Sequence, residues 1–283
     1  MTTLHERIAQ ARDALAAAGI ARDEAALDAE LLARYALGWD QARLILSRLQ
    51  KLPDGFEEKY APLVARRASR EPASQILGTR EFWGLDFHVT PAVLIPRPET
   101  EFVVEEALER LRPLHGARLA DVGTGSGCIA VALAHELPDC HVVATDVSSD
   151  ALVVARANAE THGVAGRIEF IAASYLGGVE GDFDLIAANP PYVRDRDKPA
   201  LAPDVRHEPD VALFGGETGL RDVEAVLDTA IAKLRRSGWL VMEFGFGQDD
   251  AVEALVRARE DLQLVRIRQD LQGIPRTAII QRR

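Results

Sequence analysis

Arg118-Leu119-Ala120-Asp121-Val122-Gly123-Thr124-Gly125-Ser126-Gly127 is followed directly by an apolar run, Cys128 to His135, at helical spacing. A short strand, a glycine-rich turn and a helix in succession make a strand-to-helix unit. Glycines let the backbone turn tightly and let a ligand approach it closely. A dinucleotide-binding turn carries G-x-G-x-x-G, with a diphosphate on the helix N-terminus. Here the third glycine comes one residue earlier and an acid precedes the loop. The turn therefore suits a nucleoside without a diphosphate. The next apolar strand, 141–145, ends in Asp146, where a carboxylate can accept from both ribose hydroxyls.

Further along, Phe183-Asp184-Leu185-Ile186-Ala187-Ala188 reads as a buried parallel strand, and Asn189-Pro190-Pro191-Tyr192 follows it. An Asn at the C-terminal end of such a strand offers its carboxamide to the crevice where doubly wound sheets bind ligands. The two prolines lock the backbone and remove two N–H donors, which leaves carbonyls free to accept. Tyr192 adds a flat face. Together these form a receptor for a planar group bearing an NH2. The bland alternative is a strand followed by a proline turn. The glycine loop upstream weighs against it.

Alternation of helix and strand extends over the remainder: helix 99–112, strand 118–122, helix 127–136, strand 141–145, helix 149–162, strands 167–172 and 183–188, helix 219–236, strand 238–244 and helix 248–259. That order predicts an α/β fold, a doubly wound parallel sheet with helices on both faces. Residues 263–269 and 276–281 read as a C-terminal antiparallel pair turning at 273–276. The segment 193–219 shows no clear periodicity and carries Pro199, Pro203, Pro209 and Gly215-Gly216. Long irregular segments of this kind often act as lids. His207 and Glu208 within it are read as structural.

The chain divides near residue 75. Residues 4–72 are rich in alanine and leucine at helical spacing, punctuated by Gly19, Gly38 and Pro53-Asp54-Gly55. They predict a small all-α bundle of four or five short helices. Residues 79–89 alternate around Gly84 as a β-hairpin. The expected organisation is a helical domain over 1–75, a hairpin linker over 76–95 and a catalytic domain over 96–283. Phe82 and Trp83 are read as packing residues, with a substrate path as the alternative.

Composition bounds the function. Hydrophobic residues make up 47% of the 283, enough for real cores. No run of about 18 apolar residues is present, so no spanning helix is expected. The first residues lack a basic segment leading into an apolar one, so a secretory signal is not expected either. Cys128 and Cys140 read as small buried residues in a reducing compartment. Without a histidine cluster nearby they make no metal site. The formal charge is −11, all of it in residues 76–283, which carry 22 basic and 33 acidic side chains. A domain gripping a nucleic-acid backbone usually shows a basic stripe. The acidic balance fits a protein partner or a cationic cofactor instead.

Asp-x-Gly-x-Gly-x-Gly with Asn-Pro-Pro-Tyr resembles the S-adenosylmethionine-dependent methyltransferases that act on amino groups. Ile95-Pro96-Arg97-Pro98-Glu99-Thr100-Glu101 narrows the resemblance to the peptide chain release factor glutamine methyltransferases, the HemK/PrmC family. It covers essentially the whole chain. The resemblance implies a Rossmann-like class I methyltransferase domain, S-adenosyl-L-methionine as cofactor, S-adenosyl-L-homocysteine as product, and no metal. It implies that Gly123, Thr124, Gly125, Ser126 and Gly127 wrap the methionine and ribose part, and that Asp146 holds the ribose hydroxyls. Tyr175 stands where the family contacts the adenine, often with Trp. Asn189 touches both cofactor and substrate, and Glu99 and Thr100 border the methionine end. The implied substrate is the Gly-Gly-Gln glutamine of class 1 release factors, docked on the helical domain. A cytoplasmic monomer is the corresponding expectation, with neither membrane nor nucleic acid as partner.

The chemistry follows from the receptor. An amide nitrogen is a poor nucleophile because its lone pair is delocalised. If the Asn189 side-chain oxygen and the Pro190 carbonyl each accept one N–H, the nitrogen can pyramidalise toward the methyl group. Tyr192 would pack on the amide plane. The alternative reading is methylation of an exocyclic base amine in DNA or ribosomal RNA, which presents the same NH2 on a planar group. A non-catalytic cofactor-binding protein is disfavoured by the intact glycines, Asp146 and Asn189.

Overall fold

The computed structural model describes residues 2–283, which form two compact units. One comprises the chain up to Gly78 together with Ala202–His207; the other comprises Thr79–Leu201 and Glu208–Arg283.

The first unit is helical: α1 (Leu4–Ala17), α2 (Arg22–Leu37), α3 (Gln41–Ser47), α4 (Phe56–Ala68) and α5 (Ala73–Leu77). Local chemistry sets these ends. Thr3 and Glu6 form a reciprocal capping box on α1, and Asp40 caps α3. Gly38 ends α2 in the left-handed conformation at φ +64°. Leu15, Leu32, Phe56 and Tyr60 fill the core. Arg67 on α4 is 1% exposed and pairs with Asp28, Glu24 and Asp204. Asp204 belongs to the returning segment Ala202–His207, so two distant stretches of sequence share one buried cation.

The second unit opens with a hairpin, β1 (Thr79–Phe82) and β2 (Leu85–His88), turned by Trp83 and Gly84 at positive φ. A 3-10 turn, Pro98–Thr100, leads into α6 (Glu101–Leu111). β3 (Arg118–Val122), α7 (Cys128–Glu136), β4 (His141–Asp146), α8 (Ser149–Thr161), β5 (Ile168–Ala172) and β6 (Phe183–Ala188) follow. After α9 (Asp210–Leu213) come α10 (Arg221–Lys233), β7 (Leu234–Glu243), α11 (Asp249–Arg257), β8 (Leu262–Gln269) and β9 (Pro275–Arg282).

The seven strands lie in the order β5-β4-β3-β6-β7-β9-β8. β3 through β7 are parallel, and β9 runs antiparallel between β7 and β8. From β3 the chain moves to β4 and β5 on one side and returns to β6 on the other. The point of reversal is the crevice beyond the C-terminal ends of β3 and β6, where open α/β sheets bind ligands.

Some boundaries differ from the sequence reading. The helix expected at 219–236 ends at Lys233, because Leu234 pairs with Phe183 and is fully buried in the sheet. The segment 193–219 is more ordered than its composition suggests. It holds three short helical turns and a parallel bridge between Val193 and Phe214.

Candidate active site

Around the crevice lies a cavity of about 200 Å³. Gly123, Gly125, Asp146, Ser148, Tyr175, Asn189, Pro190 and Pro191 line it, with Val93, Leu94 and Val211 among the apolar residues.

The glycine loop divides its labour. Gly123 and Gly125 face the cavity. Their N–H groups donate, at 2.9 Å, to the Thr145 carbonyl and to Asp146 Oδ2 respectively. Thr124, Ser126 and Gly127, expected to wrap a ligand, are not among the lining residues. The buried Thr124 hydroxyl donates to Asp121 Oδ2 at 2.6 Å, and the buried Ser126 accepts at its carbonyl from Asn158. Gly127 sits at φ +82°, and a Cβ there would lie 3.0 Å from the Ala155 Cβ on α8. These residues shape the turn from behind. Asp121 is 1% exposed, and burial raises its carboxyl to about 7. Its Oδ1 has no hydrogen-bond partner.

Asp146 ends β4 with Oδ2 accepting from Gly125 N and Oδ1 from Ser148 N, both at 2.9 Å. Each oxygen keeps lone pairs for a further donor. Tyr175 follows β5 at φ +53°, a conformation that costs a non-glycine residue on the order of 1–3 kcal/mol and often marks a ligand site. Its hydroxyl donates to Asp222 Oδ1 at 2.7 Å. Burial, and then that bond, push the phenol up to about 12.

At the end of β6, Asn189 Nδ2 donates to Thr100 Oγ1 at 3.0 Å. Thr100 in turn donates to Glu243 Oε2 at 2.7 Å. Tyr192 donates to Glu243 Oε1 at 3.1 Å. Asn189 Oδ1 is buried and without a partner. A buried acceptor left unpaired costs about 1–3 kcal/mol, so an incoming N–H at this atom would be stabilising. Tyr192, expected to pack on the substrate, is not among the lining residues, and its hydroxyl is committed to Glu243. Burial pushes that phenol well above its ordinary range.

Glu243 was not singled out by the sequence reading, and Thr100 was given only a border position. The available signal was positional. An acid closes the apolar strand end Leu240-Val241-Met242, just as Asp146 closes β4. The Glu208 carboxylate accepts from Ile95 N and pairs with Arg97. Phe82 packs edge-on against Phe87, and the Trp83 indole donates to Glu136, so neither lines the cavity.

The PrmC N-terminal domain family matches residues 6–78, and the methyltransferase small domain family matches residues 100–208. The chain is 44% identical to the release factor glutamine methyltransferase of Bradyrhizobium diazoefficiens over 90% of its own length and 87% of that protein. It is 45% identical to that of Cereibacter sphaeroides over 92% and 91%. Among solved structures, a methyltransferase from Pyrococcus furiosus shares the fold, with a TM-score of 0.53 at 19% identity, covering 80% of this chain and 98% of that one.

Proposed function

The chain belongs to the release factor glutamine methyltransferase family, and from that premise we propose that it methylates N5 of the Gly-Gly-Gln glutamine in class 1 release factors. The observation that carries this reading is the unpaired, buried Oδ1 of Asn189, a residue that lines the cavity. It is an acceptor waiting for an NH2.

S-adenosylmethionine, when bound, supplies an electrophilic methyl group. The residues present fit it. Gly123 and Gly125 bring backbone close to the cavity, Asp146 offers two carboxylate oxygens to vicinal hydroxyls, and Tyr175 with Val226 offers a half-apolar wall to a purine. S-adenosylhomocysteine is the product.

Asn189 Oδ1 accepts one hydrogen of the substrate amide, and the Pro190 carbonyl accepts the other. With both hydrogens held, the nitrogen lone pair turns away from conjugation and toward the methyl donor. Positive charge growing on nitrogen meets two fixed dipoles, a preorganised effect worth a few kcal/mol per donor or acceptor. No strong base is required before transfer, and the proton leaves afterwards to water.

The helical unit serves as the docking surface for the release factor in this reading. Leu27, Leu31 and Tyr35 stand four apart on α2 and are 70, 38 and 55% exposed, an apolar stripe of the kind that marks protein interfaces. Among the described residues no helix is long and apolar enough to cross a membrane. A cytoplasmic monomer completes the proposal.

The test is incubation with methyl-labelled S-adenosylmethionine and either a class 1 release factor or total DNA and ribosomal RNA. Label on one release-factor glutamine, lost in Asn189→Ala, is the expected result. Label on nucleic acid alone overturns the substrate assignment.

A further inference from the structure

We infer that Glu243 and Thr100 are positioning residues, which hold the Asn189 carboxamide with its oxygen, not its nitrogen, toward the substrate amide. This rests on the reading above, because the polarity matters only if the incoming group carries donors.

The two ends of a carboxamide are nearly isosteric, so shape alone does not select one. Selection needs an inner partner that accepts and cannot donate. A threonine hydroxyl does both, and its direction is set by what lies behind it. Here that is Glu243, 1% exposed at the end of β7. Once ionised, the carboxylate carries no hydrogen, so the Thr100 proton must point at Oε2 and the Tyr192 proton at Oε1. Thr100 Oγ1 is then left only to accept, and Asn189 must present Nδ2 to it, as observed. The other end is Oδ1, buried and unpaired. The hydrogen-bond chain thus has a single polarity, from Asn189 through Thr100 to Glu243.

Stability does not explain this carboxylate. A buried ionised acid with only two hydroxyl partners is costly, and an apolar residue would continue β7 in the same place. The groups electrostatically coupled to it are Glu99 in the turn before α6, Tyr192 after β6, Arg276 on β9 and Cys128 on α7. Burial dominates and raises Glu243 to about 7, against the two hydroxyl donors and Arg276. A protonated carboxyl can donate to Thr100, which frees the Thr100 proton for Asn189 Oδ1 and lets the carboxamide turn over. Polarity is therefore lost as pH falls through the Glu243 transition.

The experiment compares full-length wild type, Glu243→Gln, Thr100→Val and Thr100→Ser by two readouts. The first needs no substrate: the side-chain 15N resonance of Asn189, assigned by its loss in Asn189→Asp. It is expected to titrate near pH 7 in wild type and to shift and stop titrating in Glu243→Gln. The second is steady-state transfer to a release factor, with the S-adenosylmethionine dissociation constant measured by calorimetry. Glu243→Gln and Thr100→Val should each lower kcat by about tenfold or more, as expected for loss of a fixed dipole at the reacting group. They should leave cofactor affinity within about twofold, and the double variant should lose little further, since the two act through one chain. Thr100→Ser, which keeps the hydroxyl, should recover most of what Thr100→Val loses. An Asn189 resonance indifferent to Glu243→Gln overturns the inference whatever the substrate. So does a Thr100→Ser variant as impaired as Thr100→Val. A resonance that responds as described, in a wild-type chain that leaves release factors unlabelled, supports the positioning role and rejects the substrate assignment alone.

Discussion

Asn189 and Asp146 close two parallel strands, and the crevice sets their tasks apart. Asn189 keeps one polar atom unpaired, whereas both Asp146 oxygens already hold backbone N–H groups and retain lone pairs for more. Removing each should therefore read out differently. Asn189→Ala is expected to lower kcat by roughly 10²–10³-fold, because the lost contact matters at the reacting nitrogen, with a smaller loss of cofactor affinity than Asp146→Ala gives. Single-turnover transfer and calorimetry separate the two effects. Asp146→Ala should instead weaken S-adenosylmethionine binding by about 10–100-fold, since hydrogen bonds to a charged group are worth ~1.5–3 kcal/mol. Equilibrium titration checks it. A variant that bound the cofactor normally would remove Asp146 from the site.

At the scale of elements, the glycine loop is held by the helices packed behind it. Gly127 caps the start of α7, where α8 approaches so closely that an alanine Cβ would lie 3.1 Å from the Ala155 Cα. Asn158 on α8 reinforces the junction, donating to the Ser126 and His88 carbonyls and accepting from His88 N. Gly127→Ala adds a left-handed backbone penalty to this contact. It should destabilise the protein by about 2–4 kcal/mol, seen as a lower urea midpoint at unchanged slope. A neutral result would mean that α8 shifts freely and does not position the loop.

For the whole molecule, buried carboxyls make stability depend on pH. Asp121 rises from 3.8 to about 7 because it is buried. The folded state then holds a proton that the unfolded chain has released. Its contribution is full below pH ~4 and is lost as pH rises toward ~7. Asp121→Asn cannot titrate, so its stability relative to wild type should improve from pH 4 to 8, by on the order of a few kcal/mol. Urea unfolding at the two pH values measures this; an unchanged difference would place the carboxyl in contact with solvent. The helical unit offers a separate test of docking. Leu27→Asp with Tyr35→Ala should raise KM for the release factor several-fold while kcat and cofactor affinity stay level, as loss of a remote contact does.

The local parts of the site were legible because each is written in consecutive residues. The Gly123–Gly125 turn, Asp146 at a strand end and Asn189-Pro190-Pro191 depend on backbone geometry that a few neighbours dictate, and so does the alternation that builds the sheet. Sequence alone therefore determined the fold class and the crevice. It could not separate Gly123 and Gly125, which face the cavity, from Thr124, Ser126 and Gly127, which face α7, α8 and Asp121. Which side of a turn meets solvent is settled by what packs behind it. Nor could it join Asn189 to Thr100, 89 residues away, or Thr100 to Glu243, 143 residues away. Only the tertiary structure brings these side chains within hydrogen-bond reach. The polarity of a carboxamide depends on partners that strand order, not sequence order, places beside it.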